Sequence, residues 1–241
     1  MIATRLEQMV QGPLNHPEFE STVLVDPVVD AGRPGRFPSQ AVIITTAARK
    51  IIELSKAGEK LKSVVVASQN ERDPMSHPEF RAISENLREL VDKWFPKARL
   101  TLVSPGLALD DPETRHALVV YHRPILHFEA GTQKTFAALT GQEPKRYKDV
   151  VENLRKLELD RWILRARFVS GAADNSTDSE LRGWLGHLEN FNPGQIQITT
   201  PAKPITEKKL KPVSKTRIAT IAEKTAAKTG KDVEILEGAG A

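Results

Sequence analysis

Apolar positions recur along the chain in two rhythms that take turns. Short, dense apolar runs of strand length alternate with longer stretches whose apolar residues fall three or four apart, as on one face of a helix. Residues 21–25 (STVLV) read as a strand, followed by a polar loop rich in Gly and Pro over residues 27–40. Residues 41–57 carry Ile44, Ala48, Ile51, Ile52 and Leu54 at helical spacing, and Gly58 ends that helix. Residues 61–68 (LKSVVVAS) form a second strand that is apolar throughout. Residues 78–95 place Phe80, Ile83, Leu87, Leu90, Val91 and Trp94 on one helix face, and Ser76 with Glu79 has the spacing of a capping box. The alternation continues with a strand at 99–104, a helix at 111–122 and a strand at 124–129. A helical region covers 132–139 and 147–159 with a break near 141–144, then a strand follows at 162–170, a helix at 176–191 and a strand at 195–199. A Pro/Lys linker spans 201–212, a helix spans 215–229 with Gly230 as its cap, and 233–236 is a last short strand.

Six main strands separated by helices predict parallel pairing with helical crossovers, and strands apolar on both faces fit a buried parallel sheet. Such a chain folds as an open doubly wound sheet or as a barrel. No G-x-G-x-x-G or G-x-x-x-x-G-K-[ST] follows the first strand, which weighs against the nucleotide-binding open sheet.

The composition sharpens this picture in two places. The chain has 241 residues and no cysteine. Disulfides, zinc–thiolate sites, thiolate nucleophiles and cysteine-held clusters are therefore excluded from these residues. The net charge of +4 lies in the tail, where residues 200–241 hold nine Lys or Arg against five Asp or Glu. Lys203, Lys208, Lys209 and Lys211 have no interleaved aromatics, so a nucleic-acid partner is not expected from them. No run approaches the ~18 apolar residues of a membrane helix. The first residues lack the apolar core of a signal peptide, and a cytoplasmic protein is expected.

Ligands in parallel α/β folds bind beyond the C-terminal ends of the strands. The residues there include Asp26, Asp30, Arg33 and Arg36 after the first strand, and Gln69, Asn70, Glu71, Arg72 and Asp73 after the second. Ser104 ends the third and Glu129 the fourth. The fifth carries Arg165 and Arg167, and the sixth ends in Thr199. The polar run 69–73 reads either as a binding loop or as a turn and helix cap. Arg165 and Arg167 share a strand face, so two guanidiniums there either grip a carboxylate or form an inward ion pair with Glu129 or Glu71. Glu129 either accepts hydroxyl hydrogens, as from a ribose, or pairs with an arginine. His127 points into a barrel or onto a helix. No pair of histidines has metal-site spacing, and no G-x-S-x-G elbow occurs.

The order of these pieces resembles the radical SAM superfamily over about residues 20–236. Residues 60–80 (KLKSVVVASQNERDPMSHPEF) are similar to its second strand and turn, a G-G-E-P motif followed by a helix-opening PEF. Residues 100–115 (LTLVSPGLALDDPETR) resemble the next unit, and 125–136 (ILHFEAGTQKTF) the S-L-D-A strand with its E-T-F helix. Residues 161–184 (RWILRARFVSGAADNSTDSELRGW) resemble the fifth strand with its N-S-x-x-E-L exit, and 193–204 (PGQIQITTPAKP) the sixth with its T-P ending. The resemblance implies a partial (β/α)6 TIM-like barrel of mainly parallel strands at 1–200, and a basic linker with a C-terminal helix packed on it at 201–241. It implies that residues 70–74 line the methionine amino group of S-adenosylmethionine, and Ser104 at the end of the third strand is counted among the cofactor-binding residues. Glu129 would face the ribose, Arg165 or Arg167 the carboxylate, and Ile198 and Thr199 the adenine.

Two departures set the expected function. The stretch aligned with the C-x-x-x-C-x-x-C cluster loop is PVVDAGRPGRFP, without cysteine, and Gln69 and Asn70 stand where the family has glycines. The implied protein is a degenerate member without an iron–sulfur cluster. It is an accessory subunit or pseudoenzyme that works with a cluster-bearing partner chain and binds S-adenosylmethionine or a related small ligand. The other reading is an enzyme using the same pocket for non-radical chemistry on S-adenosylmethionine or an anionic small molecule.

Overall fold

A computed structural model of the chain describes residues 8–30, 36–69 and 72–236. The chain divides into two compact units, residues 1–125 and 126–241. Ten strands and seven α-helices are present among the described residues.

The first unit opens with β1 (Val10–His16) and β2 (Glu20–Val25), an antiparallel hairpin. β1 is not visible in the apolar pattern because its outer residues are polar and it contains Pro13. Gly12 is required there: at φ +137° a Cβ would sit 2.7 Å from the Thr22 carbonyl oxygen. α1 (Gln40–Lys56) buries Ile43, Ala47, Ile51 and Leu54, a face rotated by one residue from the sequence reading at its N-terminal end. β3 (Ser63–Val66) pairs parallel with β2 and with β4 (Arg99–Ser104). α2 (Phe80–Trp94) lies between them in sequence and buries Phe80, Ile83, Ser84, Leu87 and Val91. The expected capping box is absent. Ser76 Oγ donates to the Asp73 carbonyl, and the Glu79 amide donates to His77 Nδ1 at 3.0 Å. After α3 (Pro112–Ala117) comes β5 (Arg123–His127), which spans the division between the units. The strand order up to this point is β1-β2-β3-β4-β5.

In the second unit, α4 (Gln133–Thr140) and α5 (Arg146–Arg155) follow β5, separated at Gly141, whose φ of +70° ends α4. β6 (Ile163–Arg167) leads to the short β7 (Val169–Gly171), then α6 (Asp178–Leu188) and β8 (Gln195–Thr199). The stretch read as a linker contains β9 (Leu210–Pro212), which pairs antiparallel with β7. α7 (Lys215–Thr229) is capped by Ser214 and by left-handed Gly230, and β10 (Val233–Leu236) closes the order β5-β6-β8-β10. β8 runs parallel to both β6 and β10. β1 and β10 each have one strand neighbour, so the strand order is open at both ends.

The strands of the second unit alternate rather than being apolar throughout, which corrects the sequence expectation. Leu126, Phe128, Leu164, Ala166, Ile196 and Ile198 are all buried. Phe128 meets Phe191 edge-on at 5.2 Å between centroids, and the Trp184 indole of α6 donates to the Phe128 carbonyl at 2.9 Å. Such contacts put this apolar row against the helices, and period two then sends the intervening residues to the other face.

Candidate functional site

The intervening residues include the apolar Ile125, Ile163 and Leu236, but towards the C-terminal ends of β5, β6 and β8 they are polar, and register sets these in rows. Arg165 lies opposite Gln197, and Gln197 opposite Glu234. The Phe128 amide donates to the Arg165 carbonyl at 3.0 Å, the parallel-strand bond that puts His127 opposite Arg165. One row therefore reads His127, Arg165, Gln197, Glu234. The next reads Glu129, Arg167, Thr199, with Arg167 opposite Thr199.

These groups interact along and between the rows. Arg165 is only 6% exposed, and its Nε and Nη2 both donate to Gln197 Oε1, at 3.0 and 2.6 Å. Gln197 Nε2 donates to Glu234 Oε2 at 2.9 Å. Glu129 Oε2 accepts the Arg167 amide at 2.9 Å, and its other oxygen lies 3.5 Å from the Arg167 guanidinium. This is the inward ion pair left open by the sequence. Burial raises the Glu129 carboxyl above its ordinary value, and Arg167 opposes the shift. His127 is pushed down to about 3 by burial and by the two arginines, so its imidazole is neutral.

Three polar atoms on this face have no protein partner: His127 Nε2, Arg167 Nε and Thr199 Oγ1 are each buried without a hydrogen bond. Only two other buried side-chain atoms among the described residues share that condition, on Thr101 and Trp162. A buried unpartnered polar atom costs about 1–3 kcal/mol. Three such atoms lie within two adjacent rows. On β5, β6 and β8, where these atoms lie, two arginines stand against one carboxylate, Glu129, while the second carboxylate of the rows, Glu234, lies exposed on the edge strand β10.

Asn175 holds the strand ends in place. Its Nδ2 donates to the Glu129 carbonyl at 2.7 Å and the Arg167 carbonyl at 2.9 Å, while its Oδ1 accepts the Val169 amide. Glu180 of α6 anchors the following loop through the Gly131 amide and the Thr132 hydroxyl, at 3.0 and 2.7 Å. Gln197 was missed as a site residue. The alternation Gln-Ile-Gln-Ile-Thr in β8 was its signal, because a half-polar strand cannot be apolar on both faces.

In the first unit, the predicted residues Asp73 and Ser104 are held in local hydrogen bonds. Asp73 is buried, and its carboxylate accepts from the Met75 amide (2.9 Å), the Ser104 hydroxyl (2.7 Å), and the Leu107 (2.7 Å) and Ala108 (2.9 Å) amides. Burial raises its carboxyl, and these four hydrogen bonds pull it back. Asp73 and Ser104 thus meet, as a tie between the turns after β3 and β4. Asp26 likewise accepts the Val28 and Gln69 amides, both at 3.0 Å, and Arg72 forms a bidentate pair with Asp30. Asn70, Glu71 and Arg33 lie outside the described residues. Ile198 and Thr199 point to opposite faces, so of the two only Thr199 belongs to the polar rows.

A cysteine-held cluster does not fit this chain, which has no thiolate. No group of three or more His, Asp or Glu among the described residues could hold a metal ion, and none of the described helices is long and apolar enough to cross a membrane.

No protein-family model matches the sequence, and no curated protein matches it. Solved structures do. A radical SAM methyltransferase from Sphaerobacter thermophilus is similar at a TM-score of 0.61 and 14% identity, over 96% of this chain and 69% of that one. A domain of pyruvate-formate lyase-activating enzyme from Bacteroides vulgatus is similar at a TM-score of 0.55 and 13% identity, over 73% of this chain and 99% of that one. At such identities the likeness is one of fold. The resemblance to the radical SAM partial barrel read from the sequence is borne out at that level, without the cluster motif.

Proposed function

We propose that this chain is a radical-SAM-like accessory subunit that binds S-adenosylmethionine, or a related small carboxylate, on the polar face of β5, β6 and β8, and that it works beside a cluster-bearing partner chain. The observation that carries the ligand reading is the trio of buried, unpartnered atoms on His127, Arg167 and Thr199, set among two arginines. In this reading Arg165 and Arg167 meet the carboxylate, Glu129 accepts hydroxyl hydrogens, and Thr199 lies beside the base. S-Adenosylmethionine would bring a sulfonium with an activated methyl group. The chain's own residues bind and orient it. The missing thiolates support the non-catalytic role, since nothing in these residues holds a cluster to reduce the sulfonium.

Titration calorimetry with S-adenosylmethionine tests the ligand. Saturable binding is expected, weakened at least about tenfold in Arg167→Ala, which removes a charge-assisted contact. No saturable heat at millimolar ligand would sink the ligand reading. Affinity capture with the tagged chain in its native extract tests the partner: a co-purifying chain bearing C-x-x-x-C-x-x-C is expected, and a lone monomer would refute the accessory role.

A further inference from the structure

We infer that Glu234, on the edge strand β10, is a positioning residue for the anion grip: acting through Gln197, it sets the orientation of the Arg165 guanidinium. The inference rests on the reading of the β5–β6–β8 face as a ligand site, and it adds the C-terminal strand to that site.

The argument follows from which groups can donate and which can accept. A guanidinium only donates and a carboxylate only accepts. Gln197 stands between them in one row and is fully buried. Its amide has two orientations of nearly the same shape. In the one present, Oε1 receives both Arg165 N–H groups and Nε2 donates to Glu234 at 2.9 Å. In the flipped one, NH2 would face N–H donors and the carbonyl would face the carboxylate, so every contact would oppose like with like. Glu234 thereby locks the amide, and the amide holds the edge of Arg165 that carries Nε and Nη2. An arginine side chain has about 2 kcal/mol of rotamer entropy, so fixing it before the ligand arrives removes part of the cost of binding. Gln195 Nε2 also reaches Glu234 at 3.3 Å and Asp232 at 3.3 Å, which steadies the carboxylate from the neighbouring row.

Glu234 is exposed, so substitutions there leave the core intact. Glu234→Gln can still present an oxygen to Gln197 and keeps the lock. Glu234→Lys presents only donors and inverts it. Asp232→Lys makes the same change of charge just before β10 without touching Gln197, and controls for charge. Two measurements are made on the full chain: S-adenosylmethionine affinity by calorimetry, and the Arg165 Nε–H resonance by nitrogen-edited NMR. We expect Glu234→Lys to bind about tenfold more weakly and to move the Arg165 resonance. Glu234→Gln and Asp232→Lys should stay within about twofold of wild type and leave the resonance in place. The inference is overturned if Glu234→Lys leaves the Arg165 resonance unmoved, or if Asp232→Lys weakens binding equally. Should the wild-type chain fail to bind S-adenosylmethionine, the proposed function falls alone, and the Arg165 resonance in the same variants still decides whether Glu234 positions it.

Discussion

Replacing Asp73 with Asn gives a direct measure of how much the first unit depends on one side chain. The carboxylate is 6% exposed and accepts four hydrogen bonds, two on each oxygen. An amide keeps the shape but offers one accepting oxygen. If its NH2 takes the Oδ2 position, the Leu107 and Ala108 amides both lose their acceptor. If it takes the Oδ1 position, the Ser104 hydroxyl can turn to accept, and only the Met75 amide is stranded. The second arrangement is the cheaper. It leaves one buried donor without a partner, about 1–3 kcal/mol, and replaces charge-assisted bonds by neutral ones, about 1 kcal/mol more. The loss is then about 2–4 kcal/mol, a large share of the total stability of most proteins. In a chain of this length that lowers the melting temperature by about 5–15 °C, measured by circular dichroism or calorimetry. Asp111 caps α3 through the Glu113 and Thr114 amides, and Asp111→Asn, exposed to solvent, should cost under about 1 kcal/mol. A melting temperature for Asp73→Asn within about 2 °C of wild type would refute the claim that this carboxylate ties the two turns together.

Gly131 and Gly183 bring the loop after β5 and helix α6 into backbone contact, and a Cβ on Gly131 would lie 2.0 Å from the Glu180 carbonyl oxygen. Gly131→Ala should therefore cost about 3 kcal/mol or more in a urea titration, whereas Gly186→Ala, with open space around it, should gain about 0.5–1 kcal/mol. Glu129 has a folded-state pKa raised by burial, so the native state binds its proton more tightly than the unfolded chain does. Its contribution to stability is full below the ordinary glutamate value of 4.5 and is lost as pH rises through the folded-state value. Urea titrations between about pH 4 and 8 should show a smaller fall of stability with rising pH in Glu129→Gln than in wild type, and an unchanged profile would refute the assignment.

Strand and helix periodicity determined the alternation of elements, and β4, β8, α7 and β10 fall where the sequence puts them, because each has a strong period and a clear cap or turn at its ends. The absence of cysteine alone excluded a thiolate-held cluster, since that chemistry depends on residue type and not on placement. The shared face of Arg165 and Arg167 was also legible, because period two needs no tertiary information. β1 and β9 were not: one is a mostly polar hairpin arm and the other lies within a Pro/Lys stretch, and each exists only because a partner strand accepts its hydrogen bonds. Nor could the sequence choose between ion pair and ligand for Glu129, or tell that Asp73 ties two turns. Those outcomes depend on strand register and on which donors the turns bring within reach. The row from His127 through Arg165 and Gln197 to Glu234 joins residues more than a hundred positions apart, and only the pairing of β5, β6, β8 and β10 puts them side by side.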